Sequence, residues 1–172
     1  MAILTATYSA NTAITFDISS LATSTTFLAG RESTQVDNTT NLYMDAIVNV
    51  RPIAGHAVTA PVVGQYIGLW VWGADTSLAT NAIDVLDGVD SLETLSHAGV
   101  LNSLKMVAAP AVTVITPVGL LYPIMPFSIA KALDLLVLPK FWGLYLAHNH
   151  AGALAAAQSA LFSFNGVTYT ST

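Results

Sequence analysis

Apolar and polar positions alternate with period two along most of this chain, and with the helical period only briefly. The strongest run is QYIGLWVWG at 65–73. There Tyr66, Gly68, Trp70 and Trp72 project one way, and Ile67, Leu69 and Val71 the other. Both sets are apolar, so the expected strand is central or covered on both faces. KFWGLYLAHNH at 140–150 repeats the pattern, with Trp142, Leu144, Leu146 and His148 alternating with Phe141, Gly143, Tyr145 and Ala147. The two runs share an aromatic-Gly-Leu-aromatic order, which two central strands of one sheet would produce without duplication. A glycine among such aromatics is expected to admit a side chain from the opposite sheet.

Shorter runs fill in the rest. Residues 42–50 form a one-sided strand, with Leu42, Met44, Ala46, Val48 and Val50 sharing a face. Residues 13–18 and 21–28 read as short strands, as do LKMVAA and AVTVIT on either side of Pro110. Pro123 and Pro126 make 119–127 irregular or edge-like. The Asn165-Gly166 pair predicts a hairpin turn between two short closing strands. The best helix is 128–136, capped by Ser128 and ended by Pro139, with Ile129, Ala132, Leu133 and Leu136 on one face. A second short helix is expected at 91–95, capped by Ser91. The polar stretch 29–41 reads as a surface loop, and 74–103 as an exposed excursion holding five of the ten acidic residues. The alanine-rich 151–160 reads as helix or soft loop.

Many short strands, long connections and marginal helices define an all-β or mainly β chain. The expected architecture is an antiparallel β-sandwich of jelly-roll topology, with one or two short helices. Residues 1–12 are expected to form an N-terminal arm, and 13–172 a single domain.

Composition narrows the function. Only 9% of residues are charged, against about 25% in soluble domains. Serine and threonine number 32 and hydrophobic residues reach 53%. The uncharged stretch 106–130 is long enough to span a bilayer. Its four prolines and β-branched residues make it a poor membrane helix, and no membrane partner is expected. Five basic residues against ten acidic ones disfavour direct nucleic-acid binding. With no cysteine, disulfides and thiol chemistry are excluded. A surface committed to protein neighbours accounts best for so little charge.

Candidate chemistry is sparse. His148 and His150 would share a strand face, with Cα atoms about 6–7 Å apart. They are the residues best placed for a metal, but no third ligand is visible near them. Hydrogen bonding to loop backbone is the plainer expectation. Asp84, Asp87, Asp90 and Glu93 recur every three residues, without the order of a calcium loop. Paired carboxylates for sugar hydrolysis are disfavoured by their common loop. Trp70 and Trp72 have the chemistry of a sugar platform, but packing is the simpler role. Trp70, Trp72, Phe141, Trp142 and Tyr145 are therefore expected in a core or subunit interface. No catalytic residue, cofactor or resident metal is expected.

Six segments between Leu28 and Leu154 carry a resemblance: LAGRESTQVDNTTNLYMDAIVNV, YIGLWVWGADTS, IDVLDGVDSLETL, LNSLKMVAA, MPFSIAKAL and LPKFWGLYLAHNHAGAL. Together they resemble a family of small virion proteins of tailed bacteriophages and prophages. The paired ends are its most specific part: AGRES with VDN and NLY, then Pro139, Lys140, Trp142, Gly143, His148 and Asn149. The alanine-rich 151–157 departs from the family pattern. The resemblance implies a non-enzymatic structural role, first as a capsid decoration or cement protein and second as a tail or baseplate component. A host-glycan module is a further alternative. The implied partners are the major capsid protein and further copies of the chain, as dimer or trimer, with tail proteins in the second reading. The implied location is the virion, after assembly in the host cytoplasm.

Overall fold

The structure is a computed structural model that describes residues 4–56, 59–112 and 118–171. Its first strands are β1 (Leu4–Tyr8), β2 (Thr12–Ala13), β3 (Ala29–Glu32), β4 (Val36–Asp37), β5 (Asp45–Val50) and β6 (Ile53–Ala54). The middle of the chain holds β7 (Ile67–Ala74), β8 (Ser91–Thr94), helix α1 (Ala98–Ser103) and β9 (Lys105–Ala108). After these come β10 (Leu121–Tyr122), β11 (Phe127–Ser128), helix α2 (Ile129–Ala132), β12 (Phe141–His148) and β13 (Phe162–Ser171).

All pairings between these strands are antiparallel. One sheet has the order β1-β13-β5-β11, with β2 also on β13. A second has the order β8-β3-β12-β7-β9, with β4 also on β12. The pair β10-β6 stands apart. The protein is thus a mainly β, antiparallel, multi-sheet fold with few and short helices.

The alternation of side chains explains how the sheets stack. Ala46 and Val48 of β5 and Phe162 and Phe164 of β13 join one core with Ile67, Leu69, Val71, Trp142, Leu144 and Leu146. The first sheet therefore packs face to face on β7 and β12. Ile14, Phe16, Ile18 and Leu21 also enter this core. The opposite faces of β7 and β12 carry Trp70, Trp72, Tyr145 and Ala147 into a second core. Phe27, Leu78, Leu86, Leu95 and Leu104 cover it. The central pair is buried on both faces, as the runs of apolar residues predict.

Several expectations need correction. Residues 14–18 and 21–28 are not strands. They run as irregular chain, anchored by Ile14, Phe16, Ile18 and Leu21 in the first core. The polar 29–41 is not a surface loop, since Ala29–Glu32 and Val36–Asp37 both pair with β12 and Glu32, Ser33 and Asn38 are buried. Ser33 explains how a polar residue fits there. Its N–H donates to the Leu144 carbonyl at 2.9 Å, and its Oγ accepts from the Leu144 N–H at 3.0 Å.

Residues 91–95 form no helix; Ser91–Thr94 pairs along β3. The helix lies later, at Ala98–Ser103, with the His97 ring accepting from the Gly99 N–H. The acidic residues of 74–103 mostly face solvent, but Leu78, Leu86 and Leu95 are buried, so the segment is a lid over the second core. The helix capped by Ser128 does form, and is shorter than expected. It stops at Ala132, Asp134 adopts φ 57°, and Leu136 stands 99% exposed.

Asn165-Gly166 makes no turn. Residues 162–171 run as one strand through it. A side chain at 166 would collide with the Tyr43 ring, so glycine is there for close approach. The other close approaches also differ from expectation. Gly68 is covered by Trp70 of its own strand and Gly143 by Trp72 of the neighbouring one, not by the opposite sheet. Residues 151–160 contain no helix. Of AVTVIT, Ala111 bridges to Tyr66, and 113–116 lie outside the described residues. Among the described residues, no helix is long and apolar enough to cross a membrane.

Candidate functional site

The five predicted packing residues lie on the central pair. Trp70, Trp72 and Tyr145 belong to the second core, Trp142 to the first, and Phe141 packs at the margin of the second. Trp70 is 4% exposed and Trp72 2%, so neither face offers a platform to a sugar ring. Aromatic contacts order this layer. Phe27 stacks on Tyr66 with centroids 4.4 Å apart, and Trp70 tilts against Tyr145 at 6.0 Å. The Tyr145 hydroxyl donates to the Leu28 carbonyl at 2.7 Å. Burial raises the pKa of that phenol above its ordinary value.

His148 ends β12 and is fully buried. Its Nε2 lies 2.8 Å from the Leu21 carbonyl oxygen, and its Nδ1 accepts from the His150 N–H at 3.3 Å. The His150 ring packs against Tyr122 at 4.8 Å and meets the His148 ring edge-on at 5.4 Å. Among the described residues, its Nε2 and the Tyr122 hydroxyl have no hydrogen-bond partner. Burial drives both imidazoles toward the neutral form, His150 down to about 4 with His148 adding to the effect. The two rings are brought together as their spacing suggests. They share no carboxylate: the group of acids and histidines close enough to hold a metal among the described residues does not include them.

That group is Glu32, Asp87 and Glu93, whose carboxylate oxygens lie within 4.8 Å of one another. Glu32 is fully buried, and accepts from the Asp87 N–H at 3.0 Å and the Gly88 N–H at 3.2 Å. Burial, with the charges of Asp87 and Glu93, pushes its pKa up to about 8 against those two hydrogen bonds. The four evenly spaced acids are divided. Asp84 accepts from the Ser96 N–H at 2.7 Å, and Asp90 holds Arg31 at 2.6 Å and also accepts from the Asp17 N–H. The Asp84 bond closes the lid on itself, and the Asp90 bonds tie it to β3 and to the chain at Asp17. Each acid has a structural task that spacing alone does not reveal. Glu32 was missed because its neighbours are polar. The available sign was Gly30 two residues before it, where a side chain would strike the Tyr145 ring.

Large exposed apolar side chains occur beside these acids, at Val85, Val89 and Leu92, and on other surfaces. Leu4, Tyr8 and Tyr169 mark the β1–β13 ribbon, and Met125, Leu135, Leu136 and Val137 mark the connections on either side of α2. Tyr169, Met44, Leu135 and Leu136 line one open cleft. Met106, Pro126 and Phe127 line another, between the β9 and β11 edges. Comparison with protein families, curated proteins and solved structures returns no match to this chain.

Proposed function

We propose that this chain is a structural protein of bacteriophage particles, a capsid decoration protein built on a jelly-roll. The observation that carries the reading is the strand order. The strands off the main sheet paths, β2 and β4, the separate pair β6 and β10, and the added edge β8 can be set aside; β11, though two residues long, lies on the path of the first sheet. The remaining β1, β3, β5, β7, β9, β11, β12 and β13 then number one to eight. The first sheet reads one-eight-three-six and the second two-seven-four-five. That interleaving supports the jelly-roll reading, an architecture used by viral capsid domains, lectins and cupins.

The interior separates these uses. A lectin-like role needs an exposed aromatic groove, and the tryptophans are buried. A cupin-like role needs ligands converging between the sheets, and that space is filled by Trp142, Leu144, Phe162 and Phe164. The exposed surface is 8579 Å², close to the roughly 8,000 Å² usual for a monomer of this mass. Of fifteen charged residues Glu32 is buried, so at most fourteen serve this surface, leaving hydroxyl and apolar side chains to meet a partner. The sequence resemblance to phage virion proteins agrees with this surface.

The deciding experiment is a cryo-EM reconstruction of the particle assembled by the phage or prophage that encodes the chain. Density fitting this fold on the outer capsid face is the expected result. Density in the tail or baseplate transfers the role to that assembly, and a particle without the chain overturns the reading.

A further inference from the structure

A sheet edge is a row of unpaired backbone donors and acceptors, and proteins normally protect it with charge, proline or brevity. Most edges here follow that rule. β8 carries Glu93, β9 carries Lys105, β4 carries Asp37, and β11 is two residues long behind Pro126. β1 does not. Leu-Thr-Ala-Thr-Tyr is five residues long, has no charge, proline or glycine, and every residue is exposed. Among the described residues it pairs with β13 alone.

The phase of that pairing determines what β1 offers. Ser9 donates its N–H to the Gly166 carbonyl at 2.8 Å. Antiparallel ladders alternate, so Thr7 and Thr5 also direct their backbone groups at β13. Leu4, Ala6 and Tyr8 therefore point N–H and C=O outward. Their side chains share a face with Tyr169, which lies opposite Ala6. Leu4 is 68% exposed, Tyr8 66% and Tyr169 49%. Thr5, Thr7, Thr168 and Thr170 occupy the other face, where the Thr7 and Thr168 hydroxyls bond at 2.7 Å.

We infer that β1 is the contact by which two copies of this chain pair, antiparallel, about a twofold axis at Ala6. The strand is complementary to itself in that register. Ala6 meets Ala6 of the other copy, each donating to the other's carbonyl, and Leu4 meets Tyr8 at both ends. The apolar Leu4 and Tyr8 side chains then cover one another across the junction, and Thr5 stands beside Thr7 on the opposite face. A twofold contact places a surface against itself, so any charge near the axis meets its like. No charged side chain occurs at 1–16 or at 141–172, which include both strands of the ribbon. Two first sheets become one continuous sheet, and the exposed ribbon gains a neighbour. The inference stands apart from the particle reading, because it predicts a dimer in free solution.

Light scattering on the full chain over a concentration series tests it. The expected mass is twice 18.0 kDa. Ala6→Pro removes the outward N–H and fixes φ, a change that edge strands tolerate, and takes no donor from the ladder to β13, so it should halve the mass and leave the circular dichroism unchanged. Leu4→Lys with Tyr8→Lys, at two exposed positions, should also give a monomer. Leu4→Glu with Tyr8→Lys sets opposite charges across the same junction and should restore the dimer. A wild-type monomer at all concentrations overturns the inference, as does a dimer that survives both Ala6→Pro and the double lysine.

Discussion

Trp72 lies directly opposite Gly143 in the register of the central strand pair, and its indole ring covers that glycine. A β-carbon at 143 would enter the ring. Trp72 is 2% exposed and its neighbours fill the second core, so the ring has no free space to move into. Gly143→Ala should therefore destabilise the fold by about 1–3 kcal/mol, the usual cost of overpacking. Trp72→Leu alone should cost about 3 kcal/mol or more through the cavity it leaves. The double variant should be less destabilised than the sum, and denaturant titration of the four proteins checks this coupling.

Glu32 gives stability an alkaline limit. Its carboxyl titrates near 4.5 when unfolded and at about 8 in the fold. The folded protein thus retains a proton that the unfolded chain releases, and this contribution is complete below 4.5 and lost as pH rises through 8. The melting temperature should fall across that interval. Glu32→Gln should flatten the slope, at a cost of about 1 kcal/mol at pH 5 for the poorer acceptor set. An unchanged slope in the variant would disprove the assignment.

The histidine pair sets the acid limit. His150 titrates at 6.5 when unfolded and at about 4 in place, and His148 is shifted in the same direction. Both are neutral in the fold, so their contribution is full above 6.5 and disappears as pH falls toward 4. For His150 the limiting value is on the order of 3 kcal/mol. His150→Phe keeps a ring against Tyr122 and should remove much of the acid-side loss, with His148 supplying what remains. Thermal melts between pH 4 and 7 would reveal the change.

Asp90 joins the lid to the sheet through Arg31 and the Asp17 N–H. The Arg31 and Asp90 side chains are only 20% and 13% exposed, so the pair is better shielded than a surface ion pair. Asp90→Ala should cost about 1.5–3 kcal/mol, the range for hydrogen bonds to charged groups. Limited proteolysis should then cut first within 75–96. Cleavage elsewhere with the lid intact would show that the pair does not hold it.

The central pair was legible because both its faces are apolar, and 65–73 and 140–150 read as strands on local pattern alone. Ser128 was legible as a cap because its hydroxyl works within one turn, on the Lys131 N–H. The failures share a different cause. β3 is a strand because β12 supplies its partners more than a hundred residues later, and Arg31 and Glu32 give no local sign of that. Asn165-Gly166 is a turn signal by propensity, but pairing with β5 holds it extended. The candidate site divides in the same way. The histidines fall together because they are two residues apart, whereas Glu32 meets Asp87 and Glu93 only through the sheet.

From Ile67 to Trp72 and from Trp142 to His148 every residue is buried, whichever way it points. In an ordinary two-layer protein every second position of a strand reaches water and tolerates lysine or glutamate. Neither of these two stretches contains such a position; only Gly73, Ala74 and Phe141 at one end of the pair are partly exposed. A charge introduced anywhere along them would lose its hydration, and moving the register by one residue would not recover it. Part of the shortage of charge is therefore architectural: the longest apolar stretches of the chain are an internal partition, with no wet side on which a charge could be placed.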